Sequence, residues 1–210
     1  MFINPADLAL ALSQQLPGWV AHQLMDVRPQ GYRTAPPSAQ LSAVGVILFP
    51  LEQGTHLIYV KRHGASGPLQ HRGQIGFPGG KKEVSDVTLW DTAKREIREE
   101  TGIVVEDHHR LGELTPLYIP VSNFLVQPYV IYLQNEPQLT LQEEEIQRSI
   151  ITSCAYMSET SRIKHQDIPV SEGFILSKVP YYDLYSEVLW GATAMITAEL
   201  LYLINNLEQR

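Results

Sequence analysis

The spacing of apolar positions changes several times along this chain, and each change marks an element. Residues 5–16 carry apolar side chains at helical intervals and predict a short amphipathic helix. Pro29, Gly31, Pro36 and Pro37 then make residues 27–40 an extended connector. Ser42–Phe49 and His56–Lys61 are β-rich runs, and the Glu-Gln-Gly-Thr between them fits a hairpin turn. A glycine-rich stretch follows. A helix is expected from Val87 to Thr101, with Gly102 where a C-terminal glycine cap belongs. Leu111–Ile119 and Phe124–Leu133 read as strands. A further β-rich run follows the acids Glu143, Glu144 and Glu145 and extends through Met157. Gly173–Val179 and Glu187–Trp190 complete the expected strands, and Ala192–Leu207 reads as a closing helix. Strands fill the middle and helices sit before, within and after them, so the class is α+β with one sheet system. With no repeat, low-complexity tract or linker, residues 1–210 read as one domain: an N-terminal helix and connector over 1–38 and a core over 39–210.

Composition narrows the class of partner. The formal charge of -7 argues against a general nucleic-acid surface, so an anionic substrate would need local lysines, backbone amides or a metal. No apolar run approaches the ~20 residues that span a bilayer, so no membrane partner is expected. The first residues lack a basic, then apolar, leader. Cys154 is the one cysteine; it excludes an intrachain disulfide, and its strand-like apolar surroundings suit a buried structural thiol. A cytoplasmic location fits these features. A homodimer is compatible with them.

The expected helix holds an excess of acid. At ~100° per residue, Glu96, Glu99 and Glu100 share an arc of about 100°, next to the core-facing Leu89, Ala93 and Ile97. Like charges at these spacings repel, and partial burial raises the cost. A hard divalent cation removes the conflict, because carboxylate oxygens are its preferred ligands. A solvated face with an Arg95–Glu99 pair is the plain alternative. The preceding turn favours chemistry: Gly79 and Gly80 let the backbone approach a ligand, and Lys81 and Lys82 add positive charge.

Gly80, then Glu83 and Asp86, then the run from Arg95 to Ile103 resemble a Nudix box, the motif of hydrolases that cleave a nucleoside diphosphate linked to another group. The stretch Arg-Glu-Ile-Arg-Glu-Glu-Thr-Gly-Ile fits the second half of that motif at every position. Gly80 lies fifteen residues before Arg95, one more than in the commonest box, so Glu83 and Asp86 both remain candidates for the early acid. The longer box resembles that of the coenzyme A pyrophosphatase branch. So do the residues from Leu69 through His71, Gln74 and Phe77 to Gly80, with one residue between Leu69 and His71 where the branch has two. Asn123–Pro128 and Leu189–Ala194 resemble segments of the same branch.

The resemblance implies an α/β/α sandwich with a mixed sheet and the acidic helix of the Nudix box. It implies hydrolysis of a small-molecule pyrophosphate with Mg²⁺ or Mn²⁺ held by Glu96, Glu99 and Glu100, with Arg95 orienting the acids. Glu145 or Glu99 would act as base, Glu145 being preferred over Glu143 and Glu144 because a strand-like run begins after it. Arg62, His71, Gln74, Gly79, Gly80 and Lys81 are the candidates for substrate contact. For coenzyme A the products would be 3′,5′-ADP and 4′-phosphopantetheine. ADP-ribose or a dinucleotide such as NADH would use the same chemistry. A silent nucleotide-binding protein is a third reading, disfavoured by the intact acids. His108, His109 and His165 read as surface residues, and the tyrosines and Trp190 as core.

Overall fold

A computed structural model describes residues 1–28, 34–63, 74–171 and 174–208. Helices α1 (Pro5–Leu12) and α2 (Trp19–His22) precede strands β1 (Gln40–Leu51) and β2 (Gly54–Arg62). Short strands β3 (Ile75–Gly76) and β4 (Gly79–Lys81) lead into helix α3 (Leu89–Thr101). Strands β5 (Arg110–Glu113), β6 (Leu117–Ile119), β7 (Phe124–Tyr132) and β8 (Ile146–Ser153) follow, then helix α4 (Cys154–Ser158). Strands β9 (Ile163–Ser171), β10 (Phe174–Leu184) and β11 (Glu187–Leu189) and helix α5 (Gly191–Glu208) complete the order.

β1 organises a mixed eight-stranded sheet. One of its edges runs parallel to β7, from Gln40 opposite Phe124 to Leu48 opposite Tyr132. The other edge is divided. Leu48–Leu51 pair with β2 across the hairpin, whereas Ser42–Val44 pair with β4. Beyond Leu57, β2 leaves β1 and pairs with β3 instead, while β8 runs along its other edge from His56 to Arg62. The glycine turn of β4 therefore fills the gap that β2 leaves.

Strand alternation sorts β1 between two apolar layers. Ala43, Ile47 and Phe49 join Ala93 and Ile97 of α3 on one face. Val46 and Leu48 join Leu8 of α1 and Ala194, Ile196 and Leu200 of α5 on the other. Gly45 lets α3 approach: a Cβ there would lie 2.4 Å from Ile97 Cδ1. The result is the α/β/α sandwich with a mixed sheet.

Several boundaries differ from the sequence pattern. α3 begins at Leu89 because Thr88 and Asp91 form a reciprocal capping box, which leaves Val87 outside the helix and exposed. The expected strand over Leu111–Ile119 splits into β5 and β6, with Pro116, which has no N–H, between them. Cys154 opens helix α4 rather than extending β8; it is buried all the same, and burial pushes its thiol up to about 12. β9 has no apolar alternation, since Lys164, His165, Gln166 and Asp167 run through it, and pairing with β10 makes it a strand. β9, β10 and β11 form a second, three-stranded antiparallel sheet, so the described residues form two sheets where one was expected. Tyr59, Tyr118, Tyr129 and Tyr182 are buried, but Tyr185 and Tyr202 are exposed and Trp190 is only part-buried.

The N-terminal segment is fastened by a carboxylate buried in α5. Glu199 accepts hydrogen bonds from the backbone N–H of Gly18 and Thr115, each at 3.0 Å, and from the Thr115 hydroxyl at 2.5 Å. His22 Nε2 lies 3.0 Å from the same carboxylate. Removing one side of a buried pair leaves the others unpaired, at a cost of about 3–5 kcal/mol. Glu199→Ala should lower the urea-unfolding free energy by about that amount; an unchanged midpoint would contradict this role.

Candidate active site

α3 meets the glycine turn through two of its acids. Glu100 is 2% exposed. Its Oε2 accepts the Gly79 N–H at 3.0 Å, and its Oε1 accepts a hydrogen bond from Arg62 Nη2. The same Arg62 nitrogen donates to the Gly79 carbonyl at 2.9 Å. The end of β2, the turn and the last turn of α3 are thus joined at one point. Gly79 has no room for a side chain: a Cβ would sit 2.3 Å from Ala43 O and 2.6 Å from Val44 Cα. A Cβ on Gly80 would lie 2.3 Å from Glu96 Oε1.

Arg95 forms the second junction. Its Nε and Nη2 grip Asp86 at 3.1 and 3.0 Å, a bidentate pair. Its Nη1 donates to Glu96 at 2.8 Å and to Glu99 at 3.0 Å, and Nη2 also reaches the Lys81 carbonyl at 3.0 Å. Asp86 accepts further bonds from Glu83 N–H and Thr92 Oγ1. Its side chain is 5% exposed against 63% for Glu83, so Asp86 is the early acid that anchors the arginine. The sequence left these two open, because spacing does not show which side chain turns inward.

Burial is the largest influence on Glu96 and Glu100. It raises both carboxyls, Glu100 to about 7, against the pull of Arg95 on Glu96 and of Arg62 and the Gly79 N–H on Glu100. Glu99 is half-exposed. Among the described residues, no three His, Cys, Asp or Glu side chains converge as a preformed cation cage. The donor set still fits a hard divalent ion: three carboxylates lie along one side of α3, and Arg62 and Arg95 supply the positive charge they now receive.

A cavity of about 310 Å³ lies beside the turn. Arg62, Gly79, Gly80, Lys81 and Glu145 all line it. Glu145 Oε2 is 3.5 Å from Arg62 Nη1, and the Glu145 carbonyl accepts the His63 N–H. Glu143 and Glu144 are exposed and do not line the cavity. Gln74 does not line it either; its carbonyl accepts the Arg62 N–H at 3.0 Å. His71 lies outside the described residues. Ile119, Ser122 and Ile196 also line it and were not foreseeable, because apolar walls and lone hydroxyls carry no motif. A second hollow of about 350 Å³ between α1 and α5 holds none of the acids or glycines of the motif.

Arg95 and its hydrogen bonds hold Asp86 down at about 2. A carboxyl depressed on folding stabilises the native state above its unfolded value of about 3.9. That contribution is lost as pH falls through about 2. Asp86→Asn should therefore flatten the acid limb of the stability curve between about pH 4 and 2. Acid-unfolding profiles that superimpose on the wild type would refute the Asp86–Arg95 anchor.

Comparison with known proteins gives the same picture. A NUDIX domain family model matches residues 40–159. A Yersinia enterocolitica protein named uncharacterized Nudix hydrolase NudL is 34% identical over 137 residues, covering 65% of this chain and 68% of the relative. Human mitochondrial coenzyme A diphosphatase NUDT8 is 30% identical over 136 residues, covering 64% of this chain; the match spans 57% of the human protein's length. Among solved structures, a MutT/nudix family protein from Enterococcus faecalis aligns with a TM-score of 0.52 at 16% identity, covering 100% of this chain and 76% of that one, which supports the fold alone. The chain belongs to the Nudix hydrolase family.

Proposed function

We propose that this protein is a pyrophosphohydrolase that uses Mg²⁺ or Mn²⁺ to cleave coenzyme A or its derivatives into 3′,5′-ADP and 4′-phosphopantetheine or its acylated form. The observation that carries the chemistry is the docking of α3 onto the glycine turn, which sets Glu100 and Glu96 against Gly79 and Gly80; the two glycines line the cavity, and the acids stand behind them rather than in its lining. Support for the substrate comes from the lengthened box and from the name of the human relative. Phosphoryl transfer relies on positioning and charge neutralisation, which this arrangement supplies without a protein nucleophile.

Glu96, Glu99 and Glu100 would hold the cation. The chemistry that ion would supply is polarisation of the pyrophosphate and acidification of a water. Arg95 keeps Glu96 and Glu99 on one side of the helix while Asp86 fixes its guanidinium. Arg62 orients Glu100 and faces the cavity, where it can meet a phosphate oxygen once substrate enters. Lys81 lines the same wall and adds positive charge. Glu145 is the preferred base, because it lines the cavity and the turn preceding β8 holds it there: its N–H donates to Gln142 Oε1 at 2.7 Å. Glu99 is the alternative base. The single buried thiol fits a cytoplasmic setting. Among the described residues no helix is long and apolar enough to cross a membrane.

The substrate is tested by incubating the protein with Mg²⁺ or Mn²⁺ and coenzyme A, ADP-ribose or NADH separately, then identifying products by mass spectrometry. Release of 3′,5′-ADP and 4′-phosphopantetheine is expected. Cleavage of ADP-ribose or NADH alone would keep the chemistry and reject coenzyme A. Glu100→Gln should cut turnover by roughly 100-fold or more while circular dichroism remains native, because a metal ligand is lost. Wild-type turnover in that variant would reject its role.

A further inference from the structure

The cavity has two chemically different ends. Arg62, Lys81 and Glu145 lie with the glycine turn at one end. At the other, Ile119, Phe124 and Val126 form an apolar floor under Ile196 of α5. Pairing places these ends on one face of the sheet. Lys81 stands opposite Ser42, Ser42 opposite Val126, and Phe124 opposite Ile119. The cavity thus crosses from β4 over β1 and β7 to β6, three strand spacings or about 14 Å.

An unpaired polar group lies at the apolar end. Ser122 lines the cavity, and its buried Oγ has no hydrogen-bond partner in the protein. The turn that carries it is tightly held. Asn123 sits at a φ of 54°, unusual for a residue with a side chain. Its Oδ1 accepts from the Tyr118 hydroxyl and its Nδ2 donates to Ser38 O, both at 3.0 Å. Asparagine tolerates that left-handed conformation, so the turn is well fixed, and the unpaired Ser122 hydroxyl beside it is held at the cavity wall where a ligand could satisfy it.

We propose that the β6–β7 end of this cavity is the subsite for the pantetheine arm, an aliphatic chain with two amides and a terminal thiol, and that the Ser122 hydroxyl hydrogen-bonds one amide. The assignment rests on the coenzyme A reading above. The arm runs through roughly twelve bonds from phosphoester oxygen to sulfur, the reach of four extended residues or about 14 Å. That is about the three strand spacings from the turn to β6. The other half of coenzyme A carries an additional phosphate, which calls for cationic donors; Ile119, Ser122, Phe124 and Val126 offer none.

Val126→Phe narrows the floor, and Ser122→Ala removes the hydroxyl with little change in volume. Calorimetric titration with 4′-phosphopantetheine and with 3′,5′-ADP would be run on both variants and the wild type, alongside coenzyme A turnover and thermal melting. Val126→Phe should weaken 4′-phosphopantetheine binding at least tenfold and raise the KM for coenzyme A in parallel. Ser122→Ala should weaken the same ligand about threefold to tenfold, and 3′,5′-ADP should keep its wild-type affinity in both. Loss of 3′,5′-ADP binding instead would assign this end to the nucleotide and overturn the proposal. So would unchanged 4′-phosphopantetheine affinity in both variants of a protein that hydrolyses coenzyme A. A wild-type protein that leaves coenzyme A intact removes the underlying reading, and the subsite with it. If Val126→Phe melts early, the Ser122→Ala titration alone decides.

Discussion

A carboxylate that is 2% exposed must be compensated where it lies, and Glu100 sets that demand for the whole site. Water cannot solvate it, so the Gly79 N–H and the Arg62 guanidinium do. The Gly79 N–H reaches it only because position 79 has no side chain to collide with Ala43 and Val44. The guanidinium reaches it only because β2 leaves β1 and ends beside the turn. A functional group thus fixes the mutual placement of two strands and a helix. Such burial is unfavourable for stability by itself; without its partners the acid would be strongly destabilising. Arg95 repeats the device at the surface, spanning Asp86, Glu96 and Glu99.

The layers on either side of the sheet divide the labour. The α3 face packs Ala93 and Ile97 against β1, which holds the helix axis steady beneath its acids. The α5 face covers the opposite side and roofs the cavity with Ile196. β1 contributes to both, because its residues alternate between the faces. The acids and the cavity therefore approach one turn from different layers, with Gly79 and Gly80 between them. The N-terminal segment reinforces this frame from outside through Glu199.

The parts legible in the sequence are those with a period or a fixed spacing. The α3 acids, the glycine turn, the β1–β2 hairpin and the closing helix all carry local signals, and the structure has each of them. The arc of Glu96 and Glu100 at the edge of the buried stripe was also readable, since helical geometry fixes it; Glu100 is buried and Glu96 part-buried. What stayed hidden depends on long-range pairing. β9 is polar along its length and becomes a strand through β10. The choice between Asp86 and Glu83 depends on which one Arg95 meets after the helix has docked. Arg62 looked like a phosphate contact at a strand end, and its main partner proves to be Glu100, 38 residues away.

The acids of α3, which two arginines now neutralise, are proposed as the site of a divalent cation. Calorimetric titration of Mn²⁺ into the substrate-free protein tests it most directly, with Glu96→Gln/Glu99→Gln as the comparison. Saturable binding to the wild type that the double variant loses is the predicted result. A wild type that takes up no Mn²⁺, or a double variant that binds it equally well, would contradict the claim.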